Sequence, residues 1–76
     1  MDANQVHEVT VTLSSGYMYA DRPLGFNWAG VQYVVDKIEK SWLDDGGKYF
    51  IVRVKDGRKF ELCYNQATQK WTARLA

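Results

Sequence analysis

Three segments in the C-terminal half of the chain place an apolar residue at every second position. They span residues 48–54, 58–64 and 69–75, and their apolar sets are Phe50, Val52 and Val54, then Phe60, Leu62 and Tyr64, then Trp71, Ala73 and Leu75. Successive side chains of a strand point to opposite faces of a sheet, so this period of two predicts three strands with one buried face each. The pattern is typical of an antiparallel meander.

The numbering parity of the apolar residues predicts the geometry of the first turn. The first two sets are even-numbered, so they share a face only if the loop between them has an odd number of residues. A three-residue loop over 55–57, with Gly57 in the left-handed conformation, pairs Val52 with Phe60. We therefore expect a substitution of Gly57 by alanine to destabilise the domain.

The second turn follows from the same reasoning. The last apolar set is odd-numbered, so its strand shares the buried face only if the loop has an even number of residues. Residues 65–68 supply four. This loop predicts Leu62 opposite Trp71 and Phe60 opposite Ala73.

The N-terminal part of the chain predicts further short strands. Residues 6–13 alternate and predict a half-buried strand, followed by a turn over 14–16 and a short strand over 17–20. Residues 21–25 predict a loop, because a proline forces the residue before it into an extended conformation.

The segment from Phe26 to Leu43 fits two patterns. Apolar residues occur at helical spacing, yet the β-formers around Tyr33 also alternate. We favour a bent strand with a bulge near Asp36 and Lys37, which would return Ile38 to the buried face. A helical turn within 31–43 is the other interpretation, and residues 44–47 predict a turn into the next strand.

These elements predict one mostly-β domain over residues 6–76, preceded by a disordered tail over 1–5. Five or six short antiparallel strands favour a small barrel or half-open barrel of SH3-like or OB-like type. The expected cover for the meander comes from the earlier strands. Its members are Val9, Val11, Leu13, Phe26, Trp28, Tyr33, Ile38 and Trp42.

Composition argues against an enzyme or a metal site. One cysteine, Cys63, and one histidine, His7, can form neither an internal disulfide nor a four-ligand zinc site. The sequence carries no phosphate-binding loop or nucleophile motif. We expect a cytoplasmic, bacterial, monomeric protein without a cofactor, a catalytic residue or a membrane segment.

The sequence predicts one charged surface feature. In the expected register Arg53 lies opposite Lys59, and Lys59 lies opposite Arg74, on the outward face of the meander. Lys55 and Lys70 are expected near this row, and Tyr49 shares its face. Like charges directly opposite each other destabilise a sheet, so an anionic group is expected to compensate them.

The identity of that anion separates two interpretations of the row. Residues 1–45 carry three basic and seven acidic side chains, and residues 46–76 carry seven basic and two acidic ones. Glu61 or the acids of 36–45 would make the row a solvated, internally compensated face. Phosphates of single-stranded nucleic acid would make Tyr49, Arg53, Lys55, Lys59, Lys70 and Arg74 a binding site for a non-enzymatic accessory domain.

A protein–protein interaction module is the alternative function. Its contact residues would be exposed aromatic side chains near Tyr17, Tyr19, Phe26 and Trp28. An open edge of the sheet would also accept a strand from a partner protein.

The spacing of several residues resembles that of a known family. The matching pattern is Phe26-x-Trp28-x-Gly30-x-x-Tyr33-x-Val35-x-x-Ile38-x-x-x-Trp42, then Tyr49-Phe50-x-Val52, Phe60-Glu61-Leu62-x-Tyr64 and Trp71-x-x-Arg74-Leu75. Over about residues 22–75 it is similar to an uncharacterised family of short bacterial domains associated with neighbours of Y-family, error-prone DNA polymerases. The acidic turn at 44–47 departs from the Trp- and Arg-rich segment of that family. The resemblance implies a nucleic-acid context.

Overall fold

The computed structural model describes residues 6–13 and 22–76 and shows an all-β fold. These residues form six antiparallel strands, which are β1 His7–Leu13, β2 Pro23–Trp28, β3 Val31–Asp44, β4 Gly47–Val54, β5 Lys59–Asn65 and β6 Lys70–Leu75. The strands close into one barrel in the order β1-β2-β3-β4-β5-β6, with β6 pairing back to β1. The small antiparallel β-barrel is confirmed. The tail over 1–5, the turn over 14–16 and the short strand over 17–20 lie outside the described residues.

The hairpin of β4 and β5 has the predicted register. Val52 pairs with Phe60 and Phe50 pairs with Leu62. The amide of Gly57 donates a hydrogen bond of 2.9 Å to the Val54 carbonyl, and Gly57 has a φ of 98°. The three-residue loop with a left-handed glycine is therefore confirmed.

The hairpin of β5 and β6 keeps the predicted face but not the predicted register. Leu62 pairs with Ala73, where the sequence predicted Trp71. The loop has four residues but spans 66–69, because Asn65 remains paired with Lys70 and its side-chain oxygen accepts hydrogen bonds from the amides of residues 67 and 68. Moving an even loop by one residue shifts the pairing by two, so inward residues stay inward.

Strand β2 corrects the predicted loop over 21–25. Pro23, Leu24 and Gly25 belong to this strand, and Pro23 is buried at its first position, where a proline costs no interior hydrogen bond. A two-residue turn at Ala29 and Gly30 then separates β2 from β3. Both turn residues have positive φ, 51° and 81°. Because alanine seldom adopts this conformation, the residues Ala29 and Gly30 did not predict a hairpin turn.

Strand β3 is the predicted bent strand, and it contains two bulges. The first lies between Val35 and Lys37 and brings Ile38 against the core, which confirms the predicted bulge. The second lies between Ile38 and Lys40 and was not predicted. It reverses the alternation, so that Trp42 lies on the outer face beside Tyr49.

The core lies inside the barrel and takes residues from all strands except β3, which contributes half-buried ones. The buried apolar residues are Val9, Phe26, Phe50, Val52, Val54, Phe60, Leu62 and Ala73. Val11, Trp28, Tyr33, Val35, Ile38 and Trp71 pack against them. Three residues expected on the buried face are exposed instead, Leu13 by 38%, Trp42 by 37% and Leu75 by 40%.

A Gly57→Ala substitution tests the loop geometry. An added Cβ would meet no heavy atom within 4 Å, so the cost comes from the left-handed backbone alone. We expect a loss of about 1–2 kcal/mol in the free energy of unfolding, which lowers the melting temperature by roughly 5–10 °C. Lys55→Ala in the same exposed loop is the control and should change the melting temperature little. Equal melting temperatures for both variants would contradict the assigned turn.

Candidate functional site

The outer surface of strands β3, β4, β5 and β6 carries three rows of side chains that run across the strands. The first row is Lys37, Arg53 and Lys59; the second is Lys40, Ile51, Glu61 and Arg74; the third is Trp42, Tyr49, Cys63 and Thr72. We call this surface the outer face. Neighbouring rows are two residues apart along a strand, about 7 Å.

Arg53 and Lys59 lie directly opposite each other, as predicted. One carboxylate contacts both. Lys59 Nζ lies 3.1 Å from one oxygen of Glu39, and Arg53 Nη1 lies 3.5 Å from the other. Asp36 adds a longer contact of 4.0 Å to Arg53. The acids of β3 therefore compensate this like-charged pair within the protein.

The position of Glu39 has an electrostatic consequence for its own side chain. The hydrogen bond from Lys59 lowers the pKa of Glu39 below the usual 4.5, and the positive charges of Lys59, Arg53 and Lys37 lower it further. Glu39 is therefore ionised at neutral pH and holds the two cations through charge-assisted contacts.

Arg74 does not join the predicted row of three cations. The sequence placed it opposite Lys59, but the shifted register of β6 places it opposite Glu61. Its Nη2 and Nε atoms donate to the same oxygen of Glu61 at 2.8 and 3.1 Å. Arg74 thus lies in the second row, in a partly buried ion pair.

The two remaining predicted cations lie at opposite ends of the barrel. Lys55 is exposed in the turn that follows Arg53, close to the first row as expected. Lys70 begins β6 opposite Asn65, at the far end of the barrel, and lies 3.8 Å from Glu8. Its predicted place near the row is wrong, because the pairing of β6 with β5 is shifted by two residues from the predicted register.

Tyr49 lies on the outer face and stacks against Trp42. Their ring centroids are 5.2 Å apart, and the ring planes differ by only 6°. Trp42 retains 37% exposure, so part of the pair is open to a ligand. The neighbouring Cys63 thiol is the main cause that raises the pKa of the Tyr49 hydroxyl above 10.0, so the ring stays neutral.

A shallow cavity adjoins Tyr49 on the side away from Trp42. It has a volume of about 200 Å³, and its walls include Cys63, Thr72, Glu61 and Arg74. The cavity extends the aromatic row across β5 and β6. A planar group placed beside the stacked pair would find hydroxyl, carboxylate and guanidinium groups at its edge.

Trp42 is the residue of this surface that the sequence pattern placed in the core. The alternation from Ile38 to Trp42 predicts that both side chains enter the core, and only the second bulge turns Trp42 outward. The bulge contains no glycine, which would have been the clearer sign of it in the sequence. The weaker sign is the pair of successive charged residues, Glu39 and Lys40, which interrupts the alternation of the strand.

The residues proposed for a protein–protein contact are differently placed. Phe26 is fully buried, and Trp28 is half-buried against the core, where its ring lies 5.2 Å from that of Phe60. The predicted exposure of these two side chains is wrong, and the pairing of β1 with β6 closes the edge that a partner strand would use. Tyr17 and Tyr19 lie outside the described residues.

Within residues 6–13 and 22–76 no group of three or more His, Cys, Asp or Glu side chains could hold a metal ion. The same part of the chain forms no helix of the length and hydrophobicity that a membrane crossing requires.

Comparisons with models of protein families, with curated proteins and with solved structures find no match. The resemblance to the bacterial family therefore stays a prediction.

The pKa of Glu39 can be measured directly by NMR titration of its side-chain carboxyl group. We expect it below 4.5 in the native protein and closer to 4.5 in a Lys59→Met variant, since Lys59 is the main cause of the shift. Because the folded state lowers this pKa, the ion pair stabilises the fold above the unfolded pKa and loses its effect as the pH falls through the folded one. Lys70→Met, which removes the contact to Glu8, is the control. An unchanged Glu39 pKa in Lys59→Met would contradict the observed contact.

Proposed function

We propose that this domain binds single-stranded nucleic acid weakly on its outer face, as a non-enzymatic accessory module. The observation that carries the proposal is the stacked pair of Trp42 and Tyr49, whose exposed part faces outward from the sheet. Stacking of a base on an aromatic side chain contributes about 1–3 kcal/mol and tolerates any base sequence.

Basic side chains continue from the aromatic row towards the 55–57 turn. The basic residues of this strip are Lys37, Lys40, Arg53, Lys55, Lys59 and Arg74, and its acidic residues are Asp36, Glu39 and Glu61. The excess of positive charge favours a phosphate backbone laid along the strip. The acidic residues reduce this attraction, which is the reason for proposing weak binding.

The arrangement favours single strands over a duplex. A base must leave its neighbours before it can stack on Trp42, and only an unpaired strand permits this at low cost. A base on Trp42 would place the following phosphates over the row of Lys40 and then over the row of Arg53, since rows are about 7 Å apart. The resemblance to a family that neighbours error-prone polymerases supports the same class of partner.

A Trp42→Ala substitution tests the stacking contact. We expect it to weaken binding of a fluorescently labelled 12-nucleotide oligothymidine by about 5- to 100-fold, because one stacked base loses its support. The measurement is fluorescence anisotropy at two salt concentrations. Contacts to three or four phosphates would give a slope of about −2 to −3 for log affinity against log salt.

Leu43→Ala is the matched control for this experiment. Leu43 follows Trp42 in β3, is 71% exposed and pairs with Lys48 rather than with the aromatic row. Its substitution should leave the affinity within about twofold of the native value. Failure of the native protein to bind at low salt would refute the proposed function, and equal effects of the two substitutions would exclude Trp42 as the stacking residue.

A further inference from the structure

Arg53 and Lys59 form a like-charged pair whose repulsion a nearby anion would offset. The two residues are direct cross-strand partners, and their side chains share the outer face. Like charges at such positions repel each other by about 0.2–1 kcal/mol. The barrel gains nothing from this arrangement by itself, since the inward neighbours Val52 and Phe60 already specify the register.

Glu39 supplies the anion in the free protein. Its two carboxylate oxygens reach the two cations separately, one at 3.1 Å from Lys59 and the other at 3.5 Å from Arg53. The second bulge of β3 brings Glu39 to this position. The carboxylate spans the pair in the way that the two free oxygens of a phosphodiester would.

We propose that Arg53 and Lys59 form a phosphodiester subsite that the carboxylate of Glu39 occupies in the free protein, so that Glu39 competes with nucleic acid for it. This inference rests on the proposed function. A phosphodiester and a carboxylate each carry one negative charge, so the exchange satisfies the same two donors. When a phosphate enters, the Glu39 side chain turns away towards solvent and Lys37.

All three side chains of this contact reach solvent. Those of Arg53 and Lys59 are 40% and 50% exposed, and that of Glu39 is 25% exposed. Contacts between exposed ions are weak and are screened by salt, so displacing Glu39 needs little free energy. The competition therefore tunes the affinity without abolishing it.

A Glu39→Gln substitution tests the competition with the same labelled oligothymidine. The glutamine keeps the shape of the side chain but removes its charge. We expect binding at low salt to become about 3- to 10-fold tighter than in the native protein, because two exposed contacts to the carboxylate no longer oppose the phosphate. The log–log salt slope should steepen by about 0.7 to 1.4, as one or two further phosphates are neutralised.

Two further variants separate local competition from the change in net charge. Asp45→Asn also raises the net charge by one, but Asp45 lies in the β3–β4 turn and contacts neither Arg53 nor Lys59 within the described residues. It should tighten binding by less than twofold. In the double variant Glu39→Gln with Lys59→Met, most of the gain should disappear.

The outcomes distinguish this inference from the proposed function. If the native protein binds the oligothymidine, and Glu39→Gln and Asp45→Asn raise the affinity equally, the competition is overturned and the proposed function stands. An absence of binding by all variants at low salt would refute both. Binding that is tightened by Glu39→Gln alone, and that Lys59→Met reverses, would establish the subsite. Circular dichroism spectra that match the native one verify that each variant is folded.

Discussion

The aromatic contacts of Phe60 hold the two halves of this barrel together. Its ring, from β5, lies 5.0 Å from Phe26, 5.2 Å from Trp28 and 5.2 Å from Tyr33, which belong to β2 and β3. Edge-to-face aromatic pairs stabilise a core beyond the burial of their area. These contacts pack the β2–β3 hairpin against the C-terminal meander, and the pairing of β3 with β4 sets the path of β3 on which the outer face depends.

The two bulges of β3 then decide which of its side chains reach the outer face. Each bulge adds one residue opposite a single residue of β4 and increases the local twist. The first keeps Ile38 against the core, and the second brings Glu39 over Arg53 and Lys59 and turns Trp42 outward. A strand of the same composition without the second bulge would bury Trp42 and remove the aromatic row.

The outer face carries basic and aromatic side chains together with its own internal anions. Glu39 and Glu61 each hold basic residues that could otherwise contact a phosphate backbone, while Trp42 and Tyr49 form a stack that no charged group covers within the described residues. Attraction by charge and attraction by stacking therefore respond differently to salt, since screening weakens only the first. For the proposed binding of nucleic acid, this division predicts an affinity that persists in part when the salt concentration rises.

The sequence alone determined the β-class, the meander and the left-handed turn at Gly57. Apolar residues alternate in both strands of the segment 50–62, and they share one face of the sheet in only a few strand registers. It also placed Arg53 opposite Lys59. The tertiary structure decided two features. The β5–β6 loop is displaced by one residue at Asn65, so that Arg74 pairs with Glu61, and the second bulge of β3 exposes Trp42. In both cases the predicted and the observed pairing suit the β-forming residues of the strand equally well. The packing of neighbouring strands and the side-chain hydrogen bonds of the turn therefore select the observed pairing.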